Sequence, residues 1–339
     1  MRKVLPAALH TWPVRILALL VIAALVSMSA PAAAKKKGPD GIVSEIRDDR
    51  IIESSGLALS SKYDDLVYTI NDSGNHPMVY AIRLSSGDVV GVTDLKSFDV
   101  KDTESIAVDA RGVLWLGDLG DNDGKRDDVS IIAFPEPGPG THHLTTADRY
   151  GVTFPDGPVD VEGMLVQPTT DHVFLVSKNR DGLGTIYRLP TLRSGSTVEA
   201  EDMHVQAPEA VTDATFTHAG TRALLRTNKD VWIYDPKRWE PISKVETPKL
   251  EQGESVTVER GDRTMLLGSE GKNSPILRVP LPDQPASAPP APAQPENASD
   301  ADDAGDGPTA TGLGVAVPVG LAALALLTAG MIARRSRRT

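Results

Sequence analysis

An all-β chain folded as a five-bladed β-propeller is what this sequence predicts. A turn bearing a carboxylate or hydroxyl, followed by a short apolar strand, recurs at Ser55, Glu104, Glu162, Asp213 and Glu254. The spacings are 49, 58, 51 and 41 residues, and periods of about 40–50 residues built from short strands mark propeller blades. The runs between these turns are rich in β-branched and aromatic residues and are bounded by Gly, Asn, Asp and Ser. None has the apolar period of a helix.

In chain order, Arg2, Lys3 and Arg15 precede the apolar run Ile16–Met28 and the small residues Ser29–Ala34. This pattern reads residues 1–34 as a signal peptide, because the apolar core is too short to span a bilayer. No Cys follows it, so an N-terminal lipid anchor is excluded. Residues 35–40, with Lys35, Lys36 and Lys37, form a basic linker. The propeller is expected over 41–282.

Gly41–Arg47 is a lone strand pattern ahead of the first repeat. Blade one reads Gly56–Ser60, Asp65–Ile70, Met78–Leu84 and Val89–Thr93. Blade two runs from Ser105 through Val113–Leu116 and Val129–Phe134 to Arg149–Phe154. Blade three has Gly163–Val166, Val173–Ser177, Thr185–Arg188 and an outer strand near Met203–Val205. Blade four has Ala214–Phe216, Ala223–Arg226, Val231–Tyr234 and Ile242–Val245. Blade five has only Ser255–Val258, Thr264–Leu267 and Ile276–Val279, so Ile42–Ile46 is expected to supply its fourth strand and close the ring. A six-bladed ring is the alternative, and it would need another blade within Pro135–Tyr150.

From 283 to 311 the chain turns to Pro, Ala, Asp and Ser, the composition of a solvated stalk that builds no core. Asn297-Ala-Ser299 matches a glycosylation sequon. Residues 312–333 are uncharged and apolar, and Arg334–Arg338 fall in the terminal segment 334–339. That run is long enough for a transmembrane helix, with the arginine tail cytoplasmic and the propeller outside.

The chain has no Cys, which removes disulfides and thiolate chemistry. Its formal charge is −11, and without the basic residues of the signal and the tail the exported part reaches −18. Such a surface repels phosphate backbones, so nucleic acid is not an expected partner. Cations and basic ligands suit it better.

The acids at the starts of the innermost strands should point to one mouth of the channel. Glu104, Glu162, Asp213 and Glu254 are candidates there, with Lys178 and Arg226 as partner cations and Asp72, Asp118 and Glu270 at equivalent second-strand ends. Gathered like charges need a cation, a shared proton or a basic partner. The alternative is that each acid caps a turn within its own blade. Asp118-Leu-Gly-Asp121-Asn-Asp123-Gly124 suggests a looser calcium loop, although the EF-hand pattern fails. Glu104, Asp118, Asp121 and Glu162 are therefore the metal-ligand candidates, with calcium the candidate cofactor. No Gly-x-Ser-x-Gly elbow, His-Glu-x-x-His, phosphate loop or dinucleotide fingerprint is present. His142-His143 is read as surface loop, Trp115 and Trp232 as core, and Trp239 as turn.

At Glu53-Ser-Ser-Gly-Leu-Ala58, Asn71-Asp-Ser-Gly74, Glu104-Ser-Ile-Ala107, Gly117-Asp-Leu-Gly-Asp-Asn122 and Phe134-Pro-Glu-Pro137, the chain resembles a family of secreted or anchored bacterial β-propellers. That family is related to phytase-like and esterase-like propeller domains. Pro155-Asp-Gly157, Asp160-Val-Glu162, Val211-Thr-Asp213, Leu225-Arg-Thr227, Gly253-Glu-Ser255 and Ser269-Glu-Gly271 continue the match in order. The resemblance implies phosphoester or ester hydrolysis. Two departures, Thr103-Glu104-Ser105 for the family's Trp-Glu-Asp and Asn228 for an aromatic, fall near the mouth, so the ligand is not carried over. The leading expectation is a membrane-anchored extracellular binding module with an acidic mouth, for a small molecule or cell-surface component. A metal-dependent hydrolase and a structural surface protein are the alternatives.

Overall fold

Strands with both faces covered read as continuous apolar runs, and strands with one face in water alternate. That difference sorts the strands of each blade from the axis outward in the computed structural model, which describes residues 41–72 and 74–283. The first strand, β1 (Ile42–Glu45), stands apart from blade one, which holds β2 (Ser54–Leu59), β3 (Leu66–Asn71), β4 (Met78–Arg83) and β5 (Val89–Asp94). Next come β6 (Thr103–Val108), β7 (Val113–Asp118), β8 (Ser130–Pro135), β9 (Gly140–His143) and β10 (Asp148–Thr153). They are followed by β11 (Val161–Val166), β12 (Val173–Ser177), β13 (Leu183–Arg188), β14 (Thr197–Glu199) and β15 (Glu201–Glu209). Blade four is β16 (Val211–Phe216), β17 (Ala223–Thr227), β18 (Asp230–Asp235) and β19 (Glu240–Glu246). The last three strands are β20 (Gly253–Val258), β21 (Thr264–Ser269) and β22 (Pro275–Pro280).

These strands form five sheets, with innermost strands β2, β6, β11, β16 and β20. Each innermost strand lies against the next, and β20 returns to β2. Strands β3, β11, β12 and β20 are buried along their whole length, whereas β5 and β19 alternate. Five apolar clusters fill the ring, one at each junction. Leu116 and Phe134 pack with Tyr68 between blades one and two, and Leu175 with Ile131 between two and three. Phe174, Phe216 and Trp239 join three to four, Leu224 and Met265 four to five, and Leu57 and Leu266 close five on one. Five junctions for five sheets leave no place for a sixth blade.

The closing strand is found where the pattern put it. β1 pairs antiparallel with β22, Ile42 opposite Leu277 and Glu45 opposite Pro275. Ile46, just beyond it, is fully buried. The turn of blade one presses on this strand at Gly87, where φ is +79° and any Cβ would overlap the Glu45 carbonyl oxygen. Only Gly combines that backbone with that approach.

Two strands were not expected. The long second unit contains no hidden blade; its Gly140–His143 segment runs parallel to β5 and adds a fifth strand to blade one. In the same way β14 runs parallel to β10 and extends blade two. His142 and His143 therefore lie on an edge strand rather than in a loop, with His143 exposed. Trp115 is core as expected, but Trp232 is only half-buried beneath Lys244. Trp239, in its turn, is buried 4.8 Å from the Phe174 ring centroid.

The expected signal peptide, basic linker, transmembrane helix and arginine tail, and the stalk after Asp283, lie outside the described residues. Among the described residues no helix is long and apolar enough to cross a membrane.

Candidate functional site at the propeller mouth

All five innermost strands carry a register shift near their first residues. It falls between Ser55 and Leu57, Thr103 and Ser105, Val161 and Gly163, Val211 and Asp213, and Gly253 and Val256. A bulge leaves one residue unpaired and re-aims its side chain. The skipped positions hold Glu104, Glu162 and, in blade five, Glu254 with Ser255. Hydroxyls stitch these positions around the axis: Ser55 Oγ donates to Glu104 O at 3.0 Å, Ser105 Oγ to Glu162 O, and Thr212 Oγ1 to Glu254 O at 2.7 Å.

Asp72, Lys178 and Glu270 sit one residue past the second strands. Their N–H groups donate to Glu53, Asp160 and Gln252 carbonyls, so the three share one repeat position. With Asp102, just before β6, they complete the mouth. Asp72, Asp102 and Glu104 each offer a carboxylate oxygen, and these oxygens lie within 4.8 Å of one another. Glu162 accepts a hydrogen bond from Lys178 Nζ at 2.7 Å. Asp102 Oδ1, Asp118 Oδ2 and Glu162 Oε2 are buried with no hydrogen-bond partner.

Burial dominates the electrostatics. It holds Glu104 well above the carboxylate range, with the charges of Glu162, Asp72 and Asp102 adding to it. Burial, then the hydrogen bond that its protonated carboxyl donates to the neighbouring Asp72, pushes Asp102 up to about 7. Glu162 is also raised by burial to about 7, against the opposing pull of Lys178. Glu254 rises to about 9, again by burial and against Lys178, and Glu270 to about 7 by burial and Asp72. Burial disfavours the Lys178 charge, but Glu162 outweighs it and raises the ammonium above its ordinary value.

Four expected site residues occupy other places. Asp213 is one residue past the shift in β16, where Thr212 takes the skipped position. Its carboxylate turns inward to the N–H groups of Ala214 and Val256, both at 2.8 Å, with Leu57 N–H also directed at it. It ties blades four, five and one together below the mouth. Arg226 lies within β17 opposite Asp213, not past the strand end. Asp118 ends β7, and its Oδ1 accepts the N–H of Lys101 and Asp102 and Arg126 Nη2 at 3.0 Å. Asp121 accepts the N–H of Lys125 and Arg126, both at 2.9 Å. The suspected calcium loop is thus largely capped by its own N–H groups and Arg126, with Asp118 Oδ2 left buried and unpartnered. The carboxylates gathered closely enough to share one ion are Asp72, Asp102 and Glu104. Asp102 was missed, although its two-residue spacing from Glu104 was the available signal.

The axis beneath the mouth holds a cavity of only about 50 Å³, lined by residues such as Ile106, Met164 and Phe216. A wider opening of about 530 Å³ lies between blades one and five at the far end, lined by Tyr63, Glu259, Arg260 and Arg278. Its charges already pair with each other, Arg278 with Glu259 at 2.6 Å and Arg260 with Asp64. Buried acids without partners are found at the mouth instead.

No protein-family model matches the chain, and no curated protein is similar to it in sequence. Among solved structures it is similar to a chain of the nidogen/laminin complex, at 16% identity and a TM-score of 0.41, covering 64% of this chain and 72% of that one. It is also similar to a candidate 6-phosphogluconolactonase from Bacteroides uniformis, at 13% identity and a TM-score of 0.40, covering 67% of each chain. The propeller assignment rests on the strand pairing itself.

Proposed function

We propose that this chain is an exported, membrane-tethered binding propeller that takes a divalent cation, calcium by preference, at its carboxylate mouth. Through that cation it holds an extracellular ligand. The Asp72, Asp102 and Glu104 group carries this reading. Oxygens bound to one calcium at about 2.4 Å lie at most about twice that distance apart, and these oxygens meet that limit. Calcium tolerates irregular oxygen sets and completes its shell with backbone groups and water. A purely structural mouth has no use for buried, unpartnered oxygens on Asp102 and Glu162, which cost stability.

Calorimetric titration at pH 8 should show one saturable calcium site, weakened at least tenfold by Asp102→Asn. No saturable heat would sink the cation reading. A metal-dependent hydrolase is the second reading, favoured by Glu162, whose raised pKa suits proton transfer near neutrality. The motif resemblance to phytase-like propellers supports it too. Calcium-dependent release of phosphate or alcohol from simple esters, lost in Glu162→Gln, would establish it; binding without turnover leaves the binding module.

The two terminal apolar runs support export and tethering. In intact cells, external protease should remove the propeller while a tag after Thr339 stays protected. A tag accessible from outside overturns this topology.

A further inference from the structure

Asp102 precedes β6, so no strand ladder fixes it; the loop from Asp118 to Asp128 does so instead. Both main-chain polar groups of Asp102 end in that loop. Its N–H donates to Asp118 Oδ1 at 2.9 Å, and its carbonyl accepts the N–H of Gly120 at 3.2 Å. Lys101 N–H donates to the same Asp118 oxygen at 3.1 Å. A Cβ on Gly120 would fall 2.5 Å from Asp102 Cγ and 2.6 Å from Glu104 Oε1, so the loop backbone packs directly on both carboxylates.

One side chain holds the two anchors in place. Arg126 donates from Nη2 to Asp118 Oδ1 at 3.0 Å and from Nη1 to Gly120 O at 2.7 Å. Its Nε reaches Asp128 Oδ1 at 3.2 Å, and its own N–H donates to Asp121 Oδ2 at 2.9 Å. Asp118 is fully buried and Arg126 largely so, which strengthens these bonds. A planar guanidinium serves three acceptors from fixed directions, whereas a lysine ammonium is a single point charge.

Position matters here because the reach of an ion is short. Two oxygens on one calcium can lie at most about 4.8 Å apart, so an outward drift of Asp102 costs the ion a ligand. Resting on the cation reading above, we propose that Arg126 is a positioning residue of the calcium site. By clamping Asp118 and Gly120 it fixes the Asp102 main chain, and with it the carboxylate that Asp102 brings to Asp72 and Glu104. The charge of Arg126 by itself acts in the opposite sense, because a guanidinium beside the group repels a divalent cation.

The test titrates purified full-length protein with calcium by calorimetry at pH 8, as wild type, Arg126→Lys and Arg126→Met. Amide hydrogen exchange of the same three proteins is followed in chelator, where no ion contributes. Calcium should bind about tenfold more weakly to both variants, the usual cost of losing a group that orients a ligand. Peptides covering Lys101 and Asp102 should exchange roughly tenfold faster in both, while β12 keeps its wild-type rates. Tighter binding in Arg126→Met would mean that only the charge matters. Unchanged affinity in Arg126→Lys, or unchanged exchange at Lys101 and Asp102, overturns the clamp and leaves the cation reading standing. Wild-type protein without saturable calcium heat defeats the cation reading, and this one with it.

Discussion

Without divalent cations, the protein is expected to melt at a lower temperature at pH 8.5 than at pH 6, and calcium is expected to remove most of the difference. Glu104, Asp102, Glu162, Glu254 and Glu270 all have raised pKa values in the folded state, whereas unfolded carboxylates titrate near about 4. Between those limits the folded state holds more protons, so stability falls as pH rises. The loss begins above about pH 4 and continues through the Glu254 value of about 9. Lys178, raised above its ordinary value, loses its contribution only at higher pH. Calcium binds the deprotonated oxygens, so its effect grows where repulsion does. At a hundredfold excess over its dissociation constant it adds about 2.7 kcal/mol, roughly 5–10 °C for a ring of this size. Asp102→Asn and Glu104→Gln should each shrink that rise while melting no lower than wild type in chelator. If calcium, magnesium and zinc leave melting unchanged and both variants melt lower, the carboxylates are turn caps.

A chain starting at Arg50 should melt roughly 10–20 °C below one starting at Lys35, or aggregate. It lacks β1, so β22 becomes an open edge. It also loses Ile46 from the cluster between blades five and one, and the half-buried Ile42 and Val43. Burial of those side chains is worth on the order of 5 kcal/mol, a large share of a typical stability of about 5–15 kcal/mol. Ile46→Ala should move melting in the same direction by about 2–4 kcal/mol. Equal melting of the two chains would mean that the ring closes without this strand.

The repeat and its closing strand were readable because strands buried on both faces leave apolar runs bounded by turn residues. β9 and β14 left no such mark. Their residues, Gly140–His143 and Thr197–Glu199, are mostly exposed, and they pair mainly through backbone. At the mouth, Glu104, Glu162, Glu254, Lys178, Asp72 and Glu270 were legible from repeat position. Asp213 was not, because the bulge in blade four falls on Thr212 and turns the next side chain to the opposite side. Asp118 and Asp121 looked like ligands because oxygen-rich turns have one composition whether the oxygens face an ion or their own N–H groups. Arg226 looked like a mouth cation because its position two residues before Asn228 depends on pairing register, which sequence spacing does not reveal.

The two unexpected edge strands also divide the blade junctions by what holds them. β9 carries chain from blade two onto blade one, and β14 carries chain from blade three onto blade two, so parting either pair breaks a strand ladder. β1 does the same service beside blade five. Among the described residues no strand crosses on either side of blade four. It is held by aromatic packing at Phe174, Phe216 and Trp239, by the Leu224–Met265 cluster, and by bonds such as Thr212 to Glu254, Val256 N–H to Asp213 and His218 N–H to Asp262. Local opening follows cooperative boundaries, so at blade four it is side-chain packing and bonds, not a shared strand, that set how readily it parts. The buried guanidinium of Arg226 rides on that blade, so its route to solvent is a breathing motion of the ring and not a permanent door.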